Sequence, residues 1–258
     1  MFSLEITVTP EERDLLVAEL WEQGSAGIVE LDDSRVRAFF EDNADRAVLR
    51  GRYPGAEWRT EEDRDWVEEA RAKLPPMLVG SRFHLVPEWR DDPTPPGRFR
   101  IVVNPGQAFG TGFHETTQLC IEALEEFVRP GESLLDVGTG SGILAQAAEL
   151  LGARPVYACD NDPIAVEVAR ASAPHVFVGS VDAVRTGTAG VVVANINPAA
   201  IAGLAPDLLR ALRPGGIALC SGFETHEVDG IRAAMPGVRD VRTKNTWARA
   251  VVSREVQK

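Results

Sequence analysis

No stretch of these 258 residues approaches the apolar length of a membrane span. The chain opens Met1-Phe2-Ser3-Leu4-Glu5, with no cationic region ahead of an apolar core, so no secretory signal is read there. Cysteine is scarce: Cys120, Cys159 and Cys220 lie far apart, each inside an apolar run. Such thiols read as buried and reduced in a cytoplasmic protein, not as a disulfide frame or a zinc site. Histidine is scarce as well. His84, His114, His175 and His226 show no ligand spacing, so no metal is expected. Positive charge is the third shortage, with 27 Lys and Arg against 39 Asp and Glu and a formal net charge of −12. That balance argues against a nucleic-acid backbone as the main partner. Two readings of the acidity stay open: a field that speeds encounter with a basic partner, or plain solubility. Internal repeats and low-complexity segments are also missing. What is there is an ordinary globular composition, 44% hydrophobic and 26% charged, long enough for one large domain plus a small one.

Periodicity organises the chain into two parts. A strand at 2–9 is followed by an amphipathic helix over 10–23, with Pro10 near its first turn and Glu11 and Glu12 favourable to its dipole. Leu15, Leu16, Ala18, Leu20 and Trp21 are its candidate apolar face. Strands at 26–31 and 35–40 flank Asp32-Asp33-Ser34, and a helix at 43–51 precedes a strand at 56–60. The order β-α-β-β-α-β is a ferredoxin-like pattern. Residues 61–74 read as a charged helix that stops at Pro75-Pro76. The expected organisation is a small α+β domain over 1–60, a linker over 61–76 and a larger α/β domain over 77–258.

In that larger part a strand at 82–89, turn chemistry at 91–97 and a strand at 98–103 come first. Helices at 115–128, 141–151, 163–172, 198–212 and 224–235 then alternate with strands at 133–138, 155–160, 175–179, 190–195 and 216–221. Such alternation implies a parallel sheet with helices on both faces. Two closing strands, 238–244 and 247–254, are placed to pair as a hairpin, which adds one antiparallel strand that dinucleotide-binding sheets usually lack.

The chemistry gathers on this larger part. Leu134-Leu135-Asp136-Val137-Gly138-Thr139-Gly140-Ser141-Gly142 runs an apolar strand into three alternating glycines and a helix, with Ser141 a candidate N-cap. The next strand ends on Asp160, eighteen positions after Gly142. Glycines let backbone approach a ligand, and a carboxylate at the tip of the next strand accepts both ribose hydroxyls of a nucleoside. The spacing G-x-G-x-G differs from the dinucleotide loop G-x-G-x-x-G, and suits passage beside an amino-acid chain and a ribose. Asp162 is better placed than Asp160 to cap the helix near Pro163. Asp182 either faces an adenine edge or is a solvated loop acid. A second glycine loop, Phe109-Gly110-Thr111-Gly112, opens a helix whose free N–H groups, with Thr117, suit a carboxylate. His114 reads as a structural or lid residue rather than a base. Asn195 ends the fourth strand, at the same sheet edge as Gly138 and Asp160, where its amide suits orienting an amine or closing a turn.

Together these motifs resemble the class I S-adenosylmethionine-dependent methyltransferases, with their Rossmann-like sheet. More narrowly, Pro105-Gly106-Gln107-Ala108-Phe109-Gly110-Thr111-Gly112, His114-Glu115-Thr116-Thr117, the Gly138 loop, Asp160-Asn161-Asp162-Pro163 and Val193-Ala194-Asn195-Ile196 resemble the ribosomal large-subunit protein eleven (L-eleven) methyltransferase family, PrmA. The likeness is concentrated in residues 98–222. Asp65-Trp66 also fits the family pattern, while Ala70, Phe113 and Asn197 depart from it. The resemblance implies S-adenosylmethionine as cofactor, contacted by Thr117, Gly138, Asp160 and Asn195; the glycine loop and the strand ends add Gly140, Gly142 and Asp182 as candidate contacts. It implies a loop through Phe109, Gly110 and Thr111 over the methionine end, and a basic ribosomal protein held by the small domain and methylated on lysine or α-amino groups. Hydropathy and net charge add the expectation of neither membrane nor direct nucleic-acid binding. Asn195 is the expected catalytic residue, holding a neutral amine together with the Ile196 carbonyl, with no dedicated base. Alternatives are a methyltransferase of this fold acting on another protein or a small amine, a nicotinamide-dependent oxidoreductase, and a non-catalytic binding module.

Overall fold

The computed structural model describes residues 1–9, 12–32, 34–60, 74–104, 112–173 and 175–254. The chain divides into two compact units, Met1–Lys73 and Leu74–Lys258. Save Leu74, the helix expected over 61–74 falls outside the described residues.

The first unit follows the order β1 (Phe2–Thr7), α1 (Arg13–Glu22), β2 (Gly27–Asp32), β3 (Arg35–Phe40), α2 (Arg46–Arg52), β4 (Glu57–Thr60). Its sheet is ordered β2-β3-β1-β4, with every neighbour antiparallel. Alternation along β1 sends Phe2 and Leu4 into a core with Leu20, Val36, Ala38, Phe40 and Leu49. Ser3 and Glu5 fall on the opposite side of the strand, where Glu5 accepts from Arg37 at 2.7 Å and from Arg35 at 3.0 Å. The Arg37 hydrogen bond holds the Glu5 carboxyl below its usual range. Asp45 starts α2 by accepting from the N–H groups of Ala47 and Val48 at 3.0 and 3.2 Å. Trp21 does not join the apolar face expected of α1. It is 54% exposed, while Leu16, Val17 and Leu20 pack into the core and the side chains of Leu15 and Ala18 lie outside the described residues.

The second unit opens with a separate sheet of β5 (Met77–Val79), β6 (Phe83–Pro87) and β7 (Phe99–Val103), of which β6 and β7 match the strands expected at 82–89 and 98–103 while β5 and the pairing were not read from the sequence. β6 and β7 are parallel although no helix joins them. Arg100 holds that crossover by donating to the carbonyls of Arg90 and Asp92. Then follow α3 (Glu115–Phe127), β8 (Leu134–Val137), α4 (Ile143–Leu150), β9 (Val156–Asp160), α5 (Pro163–Ala169), β10 (Val176–Val178), β11 (Ala189–Asn195), α6 (Pro198–Ala211), β12 (Leu212–Glu224), α7 (Val228–Ala234), β13 (Val238–Lys244) and β14 (Trp247–Ser253).

These strands form one sheet ordered β10-β9-β8-β11-β12-β14-β13. Its first five strands are parallel, and β14 runs antiparallel to both its neighbours. β11 is buried on both faces: Val191 and Val193 pack with Ile121, Leu124 and Leu144, while Val192 and Ala194 pack with Ile201, Leu208 and Ile231. The helix expected over 224–235 is in fact a single 3₁₀ turn at Thr225–Glu227 followed by α7, because β12 continues to Glu224 before the chain turns. All three cysteines are buried and free, and burial pushes the thiols of Cys159 and Cys220 up to about 12.

Candidate active site

The exits of β8, β9 and β11 share the edge of the sheet where open α/β folds place their ligands. Gly138, Gly140 and Gly142 follow β8 with φ of 70°, 55° and 80°. The loop they form is tied to β9: the N–H groups of Gly138 and Thr139 donate to the Cys159 carbonyl at 2.9 and 3.1 Å. Gly140 donates its N–H to Asp160 Oδ2 at 2.9 Å, and Asp162 donates its own to Asp160 Oδ1 at 3.0 Å. An ionised carboxylate offers about four lone-pair positions, so the two bonds leave two, enough for a pair of vicinal hydroxyls. Asp162, not Asp160, caps α5 by accepting from Ile164 at 2.8 Å. Ser141 is not the cap of α4. That position belongs to Gly142, whose left-handed backbone turns the loop into the helix with no side-chain cap.

Beneath the loop, Asp136 is 1% exposed. Its Oδ2 accepts from Thr139 Oγ1 at 2.7 Å and from Ala145 N–H at 3.2 Å, while Oδ1 has no partner among the described residues. Burial raises this carboxyl to about 7, against the lowering effect of the two hydrogen bonds.

Asn195 closes β11, and its Nδ2 donates to Thr117 Oγ1 at 3.3 Å across 78 positions of sequence. Thr117 is 1% exposed in the first turn of α3. His114 is the N-cap of that helix. Its Nδ1 accepts from Thr116 N–H at 3.3 Å, and its ring meets Trp247 edge-on with centroids 4.6 Å apart, which is a structural role. The residue after Asn195 is held between two glycines. A Cβ on Gly138 would lie 2.3 Å from Ile196 Cγ2, and one on Gly222 would lie 2.2 Å from the Ile196 carbonyl oxygen. Gly222 went unnoticed in the sequence, where the only signal is Ser221-Gly222 at a strand end. Asp182 stands apart from these contacts, exposed in a 3₁₀ turn with its carboxylate accepting from Ala183 N–H at 3.0 Å. Phe109, Gly110 and Thr111 fall outside the described residues. Among the described residues no three His, Cys, Asp or Glu group to hold a metal ion, and no helix is long and apolar enough to cross a membrane.

The sequence model of the family described as ribosomal protein L11 methyltransferase (PrmA) matches residues 35–255. The chain belongs to that family. A ribosomal protein L11 methyltransferase of Synechococcus elongatus is 36% identical over 252 residues, covering 91% of this chain and 81% of the relative. One from Symbiobacterium thermophilum is 41% identical over 196 residues, which is 74% of this chain but only 64% of the relative's length. The crystal structure of a ribosomal protein L11 methylase from Lactobacillus delbrueckii subsp. bulgaricus superposes with a TM-score of 0.65 at 30% identity, covering 71% of this chain and all of the other (100%). Family membership gives the sheet its type, the Rossmann-like sheet of class I methyltransferases, and removes the nicotinamide-dependent dehydrogenase fold as a description of the chain.

Two outcomes follow from the geometry. Gly222→Ala, with a Cβ against the Ile196 carbonyl at φ 98°, lowers stability by on the order of 2 kcal/mol or more in a urea titration. Asp136 makes stability depend on pH. Its folded value of about 7 lies above its unfolded one, so between these values the folded state binds the extra proton and stability falls as pH rises. The unfolding free energy of the wild type in urea titrations therefore drops from pH 5.5 to pH 8 by on the order of 1–2 kcal/mol more than that of Asp136→Asn.

Proposed function

We propose that this chain moves the methyl group of S-adenosylmethionine to an amine nitrogen, a lysine side chain or an α-amino group, of a ribosomal protein. The observation that carries this reading is the Asn195–Thr117 hydrogen bond at the exit of β11, one residue before the Ile196 that fills the space over Gly138. With Nδ2 donating to Thr117, Asn195 Oδ1 is left as an acceptor, the polarity that an amine N–H needs. The bound cofactor supplies a methyl already activated on a sulfonium sulfur. Asp160 holds the ribose hydroxyls through its two remaining lone pairs, and Gly138, Gly140 and Gly142 bring backbone alongside. Asp182 meets the adenine edge, and Thr117 with the loop through Phe109, Gly110 and Thr111 holds the methionine end. Residues 1–60 hold the protein substrate, the linker covers 61–76, and residues 77–258 carry the transfer. A net charge of −12 suits a basic ribosomal protein.

The chain's own contribution to the transfer is positional. The incoming amine must be neutral to attack. For a lysine of pKa ~10.4 at pH 7, losing the proton costs ~4.6 kcal/mol. Asn195 has no basic atom to take that proton, so it leaves to water, and a desolvated cleft lowers the cost. Asn195 Oδ1 and the Ile196 carbonyl then accept the remaining N–H groups and aim the lone pair.

Incubation with methyl-labelled S-adenosylmethionine and ribosomal proteins, read by mass spectrometry, tests the assignment. Label is expected on one basic ribosomal protein, and label on none, or tight NADH binding in the same cleft, overturns it. Asn195→Ala should lower kcat by about 100-fold while the Kd for S-adenosylhomocysteine stays within about threefold. The rate of the wild type should rise about tenfold per pH unit below the amine pKa, with no second inflection from an enzyme base.

A further inference from the structure

We infer that the C-terminal hairpin β13–β14 is a positioning element for methyl transfer: Asn245 and Trp247 hold the first turn of α3, and through Thr117 they set the Asn195 amide. This rests on the reading of Asn195 given above. The links are consecutive. Asn245 Nδ2 donates to Glu115 Oε1 at 3.0 Å, and Trp247 meets the His114 ring at 4.6 Å and 70°. The His114 carbonyl accepts from Thr117 N–H at 3.1 Å, and Thr117 Oγ1 accepts from Asn195 at 3.3 Å. Hairpin tip, helix cap, threonine and amide thus form one chain of contacts.

Further contacts fix the hairpin along the whole of α3. Glu115, Glu122 and Glu126 are spaced i, i+7 and i+11, which puts them on one stripe of a helix. Asn245, Lys244 and Arg242 meet them in reverse order, Lys244 at 3.4 Å from Glu122 and Arg242 at 2.8 Å from Glu126. A ladder of this kind resists sliding of α3 along its axis, although each half-exposed ion pair is worth only about 0–1 kcal/mol. Within the hairpin, Arg249 is 1% exposed and bonds Asp240 at 3.0 Å, tying β14 to β13 so that the two strands move together. Sliding matters because the Asn195–Thr117 bond, at 3.3 Å, already lies beyond the usual N–H···O range. A slip of roughly half an ångström would free the amide to rotate, and misplacement of about 1 Å costs on the order of 100-fold in rate.

The test is a mutant cycle on kcat. Asn245 holds φ 52°, a conformation glycine adopts without strain, so Asn245→Gly removes the amide and keeps the turn. Asn245→Gly is expected to lower kcat about threefold, and Asn245→Gly combined with Trp247→Leu about tenfold or more, while Trp247→Phe, which keeps a ring on His114, recovers most of the loss. In a Thr117→Val background the same hairpin changes should add less than about twofold, since their route to Asn195 is already cut. Equal fold losses in both backgrounds, or wild-type kcat in Asn245→Gly, overturn the inference. Should Trp247→Leu fail to fold, Asn245→Gly and Trp247→Phe in the two backgrounds decide alone. If Asn195→Ala keeps full turnover, the reading of Asn195 itself falls. If Asn195→Ala is inactive and the hairpin variants are not coupled to Thr117, only the hairpin proposal falls.

Discussion

The site depends on how little room surrounds Ile196. Its side chain fills the space where a Cβ of Gly138 would stand, and its carbonyl fills the space where a Cβ of Gly222 would stand. The exits of β8 and β11 and the β12 backbone at Gly222 are therefore packed together through two residues without side chains. Ile196 adds a backbone bond to the Ser221 carbonyl at 3.1 Å, which closes the lock. Asn195 is one residue from this point, so its backbone has almost no freedom. Only its side-chain rotamer remains to be set, and Thr117 sets it from a different element.

Two acids serve the glycine loop in opposite environments. Asp160 sits where β9 ends, accepts from Gly140 and Asp162, and keeps two lone-pair positions to spare. Asp136 lies one strand over and fully buried, accepting from Thr139 and Ala145 below the loop. Burial opposes its charge, and the two hydrogen bonds only partly offset that cost. The loop is thus held between a partly buried acid at the strand exits and a fully buried acid beneath the turn. A sequence reader sees the same residue type twice; only burial separates the roles.

Much of this arrangement was legible in the residues. The alternation of strands and helices gave the parallel sheet, and the closing pair gave its antiparallel strand, because periodicity and turn chemistry are local signals. Asp162 as a cap followed from its place just ahead of Pro163. What escaped was long-range or lacked side chains. Gly222 carries no pattern of its own, and its meaning exists only beside Ile196. Ser141 looked like a cap because capping residues are polar, yet the left-handed turn required Gly142 at that place. Trp21 looked like core because apolar residues recur around it, but it lies on the side of α1 away from Leu16 and Leu20 and stays more than half exposed. The strands β6 and β7 were legible, but β5 and the pairing of the three into a sheet of their own escaped, because a three-residue strand and a parallel pair joined without a helix have no periodic signature.

A reaction that brings its own activated carbon asks little acid or base chemistry of the protein. It asks that a neutral nitrogen, an acceptor pair and an electrophile stay aligned for the moment of transfer. Alignment is a property of rigid elements, not of single residues. Under the proposed methyl transfer, it is expected that Thr117, Gly138, Asp160, Asn195, Gly222 and Trp247 are scattered over 131 positions of sequence and belong to different strands and helices. It also gives the antiparallel β14 a use beyond closing an edge. A parallel strand would run the other way and present its carboxyl end, with a helix leaving it, beside β12. The antiparallel strand instead presents its first residue, Trp247, at the ligand edge, directly after a tight turn. The aromatic ring is thereby fixed by the turn on one side and the sheet on the other, the geometry needed to brace the cap of a neighbouring helix.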